Sequence, residues 1–470
     1  MTTTFLKNIS HLACFNDDAG GAGTELTDAG ILMRDNVIEK VGPMAGFSDI
    51  TADRVIDLTG HVVMPGMVNT HHHFYQNLTR VMVQDDPLFV WLKTLYPIWA
   101  NIDDAAIETT SRMAMAELIA SGCTTSSDHQ YIMPNDCTLD TPIRVAQEMG
   151  LRFHAARGAM SRGESQGGLP PDSCVENEEA ILKDAERLIH TYHDMSEHAM
   201  TRIVMAPCSP FSVTPGLMKE AAQLARSFDG VRLHSHIAEV LDEEVYCNEM
   251  YGMRSVEFAE SVGWLGDDVW FAHAIFLNDA EIKAFADSGT GATFCPSAHM
   301  RCGLGIMRAR EMLDAGVTVG LGVDGSASND TSNMFLEARM GMMLQRVAPN
   351  QYLSEAPGGR GGFGGTPAAM SVREVLNMAT RGGAKLLGRT DIGQIAAGKS
   401  ADVIAINLNQ LGLAGTQRDP LAALVMCGPF EVDYSFINGV PVIEKKQFTR
   451  LDVEKALDDH ARNLERIYDA

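Results

Sequence analysis

Apolar positions along this chain follow two alternating rhythms, and the switch between them predicts the fold. Short strand-like runs at 62–69, 122–128, 151–157, 202–207, 231–237, 269–273, 291–295 and 317–323 predict eight buried strands. Between them lie stretches of helical spacing, among them A-I-E-T-T-S-R-M-A-M-A-E-L-I-A at 106–120 and the amphipathic E-E-A-I-L-K-D-A-E-R-L-I at 178–189. Strand followed by helix, eight times over, predicts a (β/α)₈ barrel of parallel strands.

The two ends of the chain have a different texture. T-F-L-K-N-I, G-I-L-M-R-D-N-V-I-E-K-V-G and R-V-I-D-L-T-G-H-V-V-M-P are short runs cut by Asn, Asp and Gly, and A-D-V-I-A-I-N-L, A-A-L-V-M and V-D-Y-S-F-I-N-G-V-P-V-I repeat that texture near the end. They predict a small β-sandwich domain built by residues 1–65 and 391–470, the latter with a C-terminal helix, around a barrel at 66–390. Two insertions interrupt the barrel pattern. Residues 80–104 carry L-F-V-W-L-K-T-L-Y-P-I-W, aromatic and long for a βα loop, and predict a lid that brings Trp91, Tyr96 or Trp99 to the mouth. Trp99 is the substrate-binding candidate among them. P-G-G-R-G-G-F-G-G-T-P at 356–366 predicts a flexible segment.

Charge narrows the partners. The net charge of −24 is offset by no basic block, which argues against nucleic acid and anionic membranes. Without a secretory leader or an apolar run of bilayer length, the expected location is the cytoplasm. Nine cysteines, an odd number without a C-x-x-C pair, read as reduced core thiols.

The chemistry sits where the predicted strands end. N-T-H-H-H (69–73), L-H-S-H-I-A-E (233–239), F-A-H-A (271–274) and G-L-G-V-D-G (320–325) each place a His or Asp after an apolar run, and such ends converge at the mouth of a barrel. His71 and His73 stand two apart, so an extended chain turns both to one face and His72 to the other. His236 supplies a third imidazole and Asp324 an oxygen, while His234 reads as a packed core histidine. Three His and one Asp, with room for water, suit a catalytic Zn²⁺, which lowers the pKa of bound water to about 7. Strand 4, R-I-V-M-A-P-C-S-P, has no Lys to bridge two metals, so one Zn²⁺ per chain is expected. Asp324 can accept the proton of that water. Glu239, three residues past a ligand, is the candidate general acid-base, and His273 the candidate for orienting the hydroxide.

These motifs, together with G-C-T-T-S-S-D-H-Q-Y, A-P-C-S-P-F-S-V-T-P and S-N-D-T-S-N-M, resemble the amidohydrolase superfamily over nearly the whole chain. Within it they are most similar to the aminohydrolases of purines and triazines, the 8-oxoguanine deaminases above all. The resemblance implies zinc ligands at His71, His73, His236 and Asp324, a proton shuttle at Glu239, a hydroxide-orienting His273, and a substrate contact at Gln76. It also implies a small heterocyclic substrate, with the chain expected to assemble as a homo-oligomer. Two departures stand beside the site: H-S-H where related deaminases commonly read H-T-H, and C-P-S-A-H-M-R, carrying His299, where they usually read C-P-S-S-N-M-R. Deamination of an aminopurine-type ring leads. Cleavage of a substituted triazine, hydrolysis of a cyclic amide and a non-catalytic metal protein are the competing readings.

Overall fold

Eight parallel strands close into a barrel in the computed structural model, which describes residues 2–16, 21–348 and 366–468. They are β1 (Met67–Asn69), β2 (Cys123–Gln130), β3 (Arg152–Ala159), β4 (Thr201–Pro207), β5 (Arg232–Ile237), β6 (Val269–His273), β7 (Gly291–Phe294) and β8 (Val319–Leu321). Each pairs with its sequence neighbour, and β1 completes the ring by pairing with β2 and with β8. Helices predicted at 106–120 and 178–189 are found at Asp104–Ala120 and Glu178–Tyr192, each capped by a side chain, Asp103 and Asn177, that accepts from the first turn.

The run 62–69 is two strands in two sheets. His61–Pro65 pairs antiparallel with Val403–Asn407 outside the barrel, and β1 begins only after Gly66. A Cβ at Gly66 would lie 2.1 Å from the Thr124 side chain, so only glycine lets the chain pass between the sheets here. A second correction concerns A-A-L-V-M, which is helical: Pro420–Met426 starts at Asp419, whose carboxylate accepts from the Ala422 N–H, with Pro420 in the first turn. Its apolar run reflects a buried helix, not a strand.

Outside the barrel, both termini build one seven-stranded sheet, from Gln447–Phe448 at one edge to Glu25–Leu26 at the other. A four-stranded sheet of N-terminal residues packs against it through Leu6, Ile9, Ile31, Val63, Val403 and Phe436. The buried Arg152 of β3 ties barrel to sheet by a two-pronged pair with Asp402, at 3.1 and 3.0 Å. The helix Val453–Tyr468 lies against Asp104–Ala120. Most of the glycine-rich stretch 356–366 lies outside the described residues. Among the described residues no helix is long and apolar enough to cross a membrane.

Candidate active site

The carboxyl ends of β1, β5, β6 and β8 meet over a cavity lined by His73, His236, Glu239, His273 and Asp324. His71 and His73 follow β1 in extended chain. His72 points the other way, to the Ser332 hydroxyl at 3.0 Å. β8 can approach His71 closely because Gly322 intervenes, where a Cβ would come within 3.0 Å of the His71 Cβ.

Hydrogen bonds fix the tautomer of each imidazole. His73 Nδ1–H donates to the His129 carbonyl at 2.7 Å, and His236 Nδ1–H to the Cys208 carbonyl at 2.8 Å. His234 Nδ1–H donates to the Trp270 carbonyl at 3.0 Å, which leaves its Nε2 to accept from His71 Nδ1–H at 2.8 Å. His71, His73 and His236 therefore all turn a bare Nε2 lone pair into one small space. The Nε2 atoms of His73 and His236 are 3.2 Å apart, and Asp324 Oδ1 lies 3.4 Å from the Nε2 of both His71 and His73. Buried His71 Nε2 has no hydrogen-bond partner. Acceptors crowded in this way repel unless a cation lies among them, and three imidazole nitrogens with a carboxylate suit Zn²⁺. The residues fit the ion.

Glu239 and His273 sit beside this cluster, with His273 Nε2 3.5 Å from Glu239 Oε1. Burial first, then the carboxylates of Asp324 and Glu243, holds the Glu239 carboxyl well above its ordinary value. Glu239 is aimed by a sharp turn: Ala238 has φ 49°, and the N–H groups of Ala238 and Glu239 donate to the Glu243 carboxylate at 2.8 and 3.1 Å. His273 (φ 70°) and Asp324 (φ 62°) are also left-handed without being glycine. Such strain persists only where surroundings enforce it, and here it marks three of the four strand ends that carry the site.

The cavity has a polar floor and an apolar roof. Gln76, Glu239, His273 and Asp324 line the floor, and Leu88, Trp91, Leu92 and Tyr96 of the helix Leu88–Trp99 form the roof. Gln76 packs on Gly325, where any Cβ would lie 1.9 Å from its Oε1, and that oxygen is buried without a donor. Trp99 is placed differently from expectation. It does not line the cavity but is buried behind the roof, its indole N–H donating to the Thr79 hydroxyl at 3.0 Å and its ring edge-on to Tyr75, Trp91 and Tyr96. The helix turns Trp91 and Tyr96 toward the cavity and Trp99 into the core.

Residues 62–442 match the sequence pattern of the amidohydrolase family. The chain belongs to that family. It is 47% identical over 387 residues to the 8-oxoguanine deaminase of Pseudomonas aeruginosa, covering 82% of each chain. It is 36% identical to the hydroxydechloroatrazine ethylaminohydrolase of Pseudomonas sp. strain ADP, covering 96% of this chain and 93% of that one. The structure of the atrazine chlorohydrolase of Arthrobacter aurescens TC1 complexed with zinc superposes with a TM-score of 0.88 at 32% identity, over 98% of this chain and 100% of the other. Family members are hydrolases, and a relative solved with zinc supports the ion inferred from the amidohydrolase donor set found here.

Three supporting residues were not singled out from the sequence. Glu243 clamps the Glu239 turn; His129 stacks on His236 with ring centroids 4.9 Å apart; Glu337 accepts from Ser297 N–H at 2.9 Å and Asn329 Nδ2 at 3.0 Å, bracing the segments after β7 and β8. An acid at the start of a helix, as Glu243 is, would have been the one visible signal. Burial, the largest cause, pushes Glu337 up to about 8 from an ordinary 4.5. The native state then keeps a proton that the unfolded chain releases near 4.5, so this group's contribution is full below that pH and is lost as pH rises through about 8. Melting curves between pH 5 and 8 are expected to show the wild-type Tm falling relative to that of Glu337→Gln, which lacks this part of the slope. An unchanged slope in the variant would reject the assignment.

Proposed function

We propose that this chain is a zinc-dependent deaminase of an aminopurine-type heterocycle, converting 8-oxoguanine to urate and ammonia. The observation that carries the reading is a buried carboxyl, Glu239, held beside converging Nε2 lone pairs and Asp324 at the floor of a cavity at the barrel mouth. Similarity to an 8-oxoguanine deaminase, and a side-chain amide, Gln76, in the cavity wall, support the substrate.

His71, His73, His236 and Asp324 would hold the ion, which supplies an acidified water near neutral pH. Asp324 accepts a proton as that water's oxygen bonds to the ring carbon bearing the amine. Glu239, kept protonated by burial, delivers its proton to the adjacent ring nitrogen. The carbon is now tetrahedral, and His273 holds its oxygen. Asp324 next returns its proton to the amine while the hydroxyl proton passes to Glu239. The C–N bond breaks, ammonia leaves and the carbonyl forms, with both carboxyl groups restored. One water is consumed and one ammonia released.

Similarity to a hydroxydechloroatrazine ethylaminohydrolase favours a second reading, release of an alkylamine from a triazine by the same steps. Guanine and isoxanthopterin are further candidate rings, the latter because an isoxanthopterin deaminase is 34% identical. Ammonia release measured against 8-oxoguanine, guanine, isoxanthopterin and hydroxyatrazine separates them. An inert 8-oxoguanine would sink the substrate assignment and leave the hydrolase reading standing. Elemental analysis of active protein is expected to find one divalent ion per chain, since the donors converge on one point; two ions would overturn this.

A further inference from the structure

The other site histidines have their tautomer set by a backbone carbonyl, directly for His73, His236 and His234 and through His234 for His71. His273 does not. Its Nδ1 meets the Nε2 of His299 at 3.1 Å, and both rings are about 1% exposed. His299 is carried inward by the short helix Pro296–Arg301, which leaves β7, and its ring lies 5.3 Å from that of His273. Its Nδ1 is buried and has no partner.

Two arrangements of the shared proton are open to this pair. If His273 Nδ1–H donates, His299 must keep its own proton on Nδ1, as a buried donor with nothing to accept it. His273 Nε2 would then be a bare lone pair facing the Glu239 carboxyl oxygen at 3.5 Å. If His299 Nε2–H donates instead, the unpaired atom on His299 is an acceptor, which proteins leave orphaned more readily than a buried N–H. His273 then presents Nε2–H to the carboxyl oxygens and to the space between Glu239 and Asp324. The Glu239 carboxyl, kept protonated, could face either form of Nε2, so the orphaned atom on His299 decides, and it favours the second arrangement.

We propose that His299 is a positioning residue that donates through Nε2–H to His273 Nδ1 and thereby holds His273 in the tautomer whose Nε2–H faces the reaction centre. His273 can then donate to the oxygen that adds to the substrate and cannot act as a base toward it. A side-chain amide at this position could serve the same end, because an Asn can turn its NH₂ toward His273 Nδ1. The kinetic part of this inference rests on the role given to His273 above; the tautomer does not.

Nitrogen-15 imidazole spectra of the metal-loaded protein, with His273 assigned by its substitution, test the tautomer without reference to any substrate. The expected signature is a protonated Nε2 and a bare Nδ1 on His273. A protonated Nδ1 would overturn the proposal. In kinetics, His299→Leu is expected to lower kcat by about 10- to 100-fold, as loss of a histidine-orienting partner commonly does, with KM within about twofold and metal content unchanged. His299→Asn is expected to restore kcat to within about threefold. Full activity in His299→Leu would reject the role. So would equal losses in both variants with a normal wild-type spectrum, since packing and not donation would then be what His299 supplies. Absence of activity on every ring tested would count against the proposed function and leave the spectral result to decide the tautomer.

Discussion

Glu239→Gln is expected to lower kcat by about 10²- to 10⁴-fold while the protein keeps its ion and its fold. The substitution preserves the volume of a buried side chain and its capacity to hydrogen-bond, and removes only the proton it can give and take. Glu239 is outside each group of side chains whose donor atoms converge closely enough to share an ion, so metal content has no reason to fall. Its backbone N–H is gripped by Glu243 whatever the side chain, so the turn survives as well. The loss should therefore appear in kcat with KM little changed, the mark of an interaction made in the transition state. Near-normal turnover in Glu239→Gln, with the ion counted by elemental analysis, would remove Glu239 from the proton path.

Eight barrel strands, and the convergence of His71, His73, His236 and Asp324 beyond their ends, were legible because each depends on a local pattern. A strand buried on both faces reads as a short run between turn signals, and His71 and His73 share a face because the spacing is two. What was not legible depends on partners distant in sequence. His61–Pro65 and β1 look like one run, and only the approach of Thr124 to Gly66 separates them. The Pro420–Met426 helix was mistaken for a strand because a short buried helix and a buried strand share an apolar run, although Asp419-Pro420 was a start signal in view. Trp99 was misjudged because a helix in an insertion has a cavity side and a core side, and its three aromatic candidates do not all face one way. The lone pair of His71 is set through His234 by the carbonyl of Trp270, a relay across three strands that no spacing records.

Substrate choice should turn on Gln76. Gln76 lines the cavity, and its amide can both donate and accept, so a ligand that brings an N–H donor to that amide can pair with it. The lactam N–H of 8-oxoguanine is such a donor, and 2-aminopurine lacks that edge altogether. A site built for a hydrogen bond rejects the analogue without it by up to about 10⁴-fold, because the polar group on the protein is left buried and unpaired. 8-Oxoguanine is therefore expected to exceed 2-aminopurine by a large factor in kcat/KM, and to exceed hydroxyatrazine, which has no fused second ring to fill the space under Trp91 and Tyr96. Gln76→Leu should lower kcat/KM for 8-oxoguanine by about 10- to 100-fold and leave 2-aminopurine almost unaffected, so that the ratio between the two contracts. The comparison is internal to one variant, so a general loss of folding or of metal would lower both rates and leave the ratio intact. A ratio that survives Gln76→Leu unchanged would mean that the purine edge is read by another group.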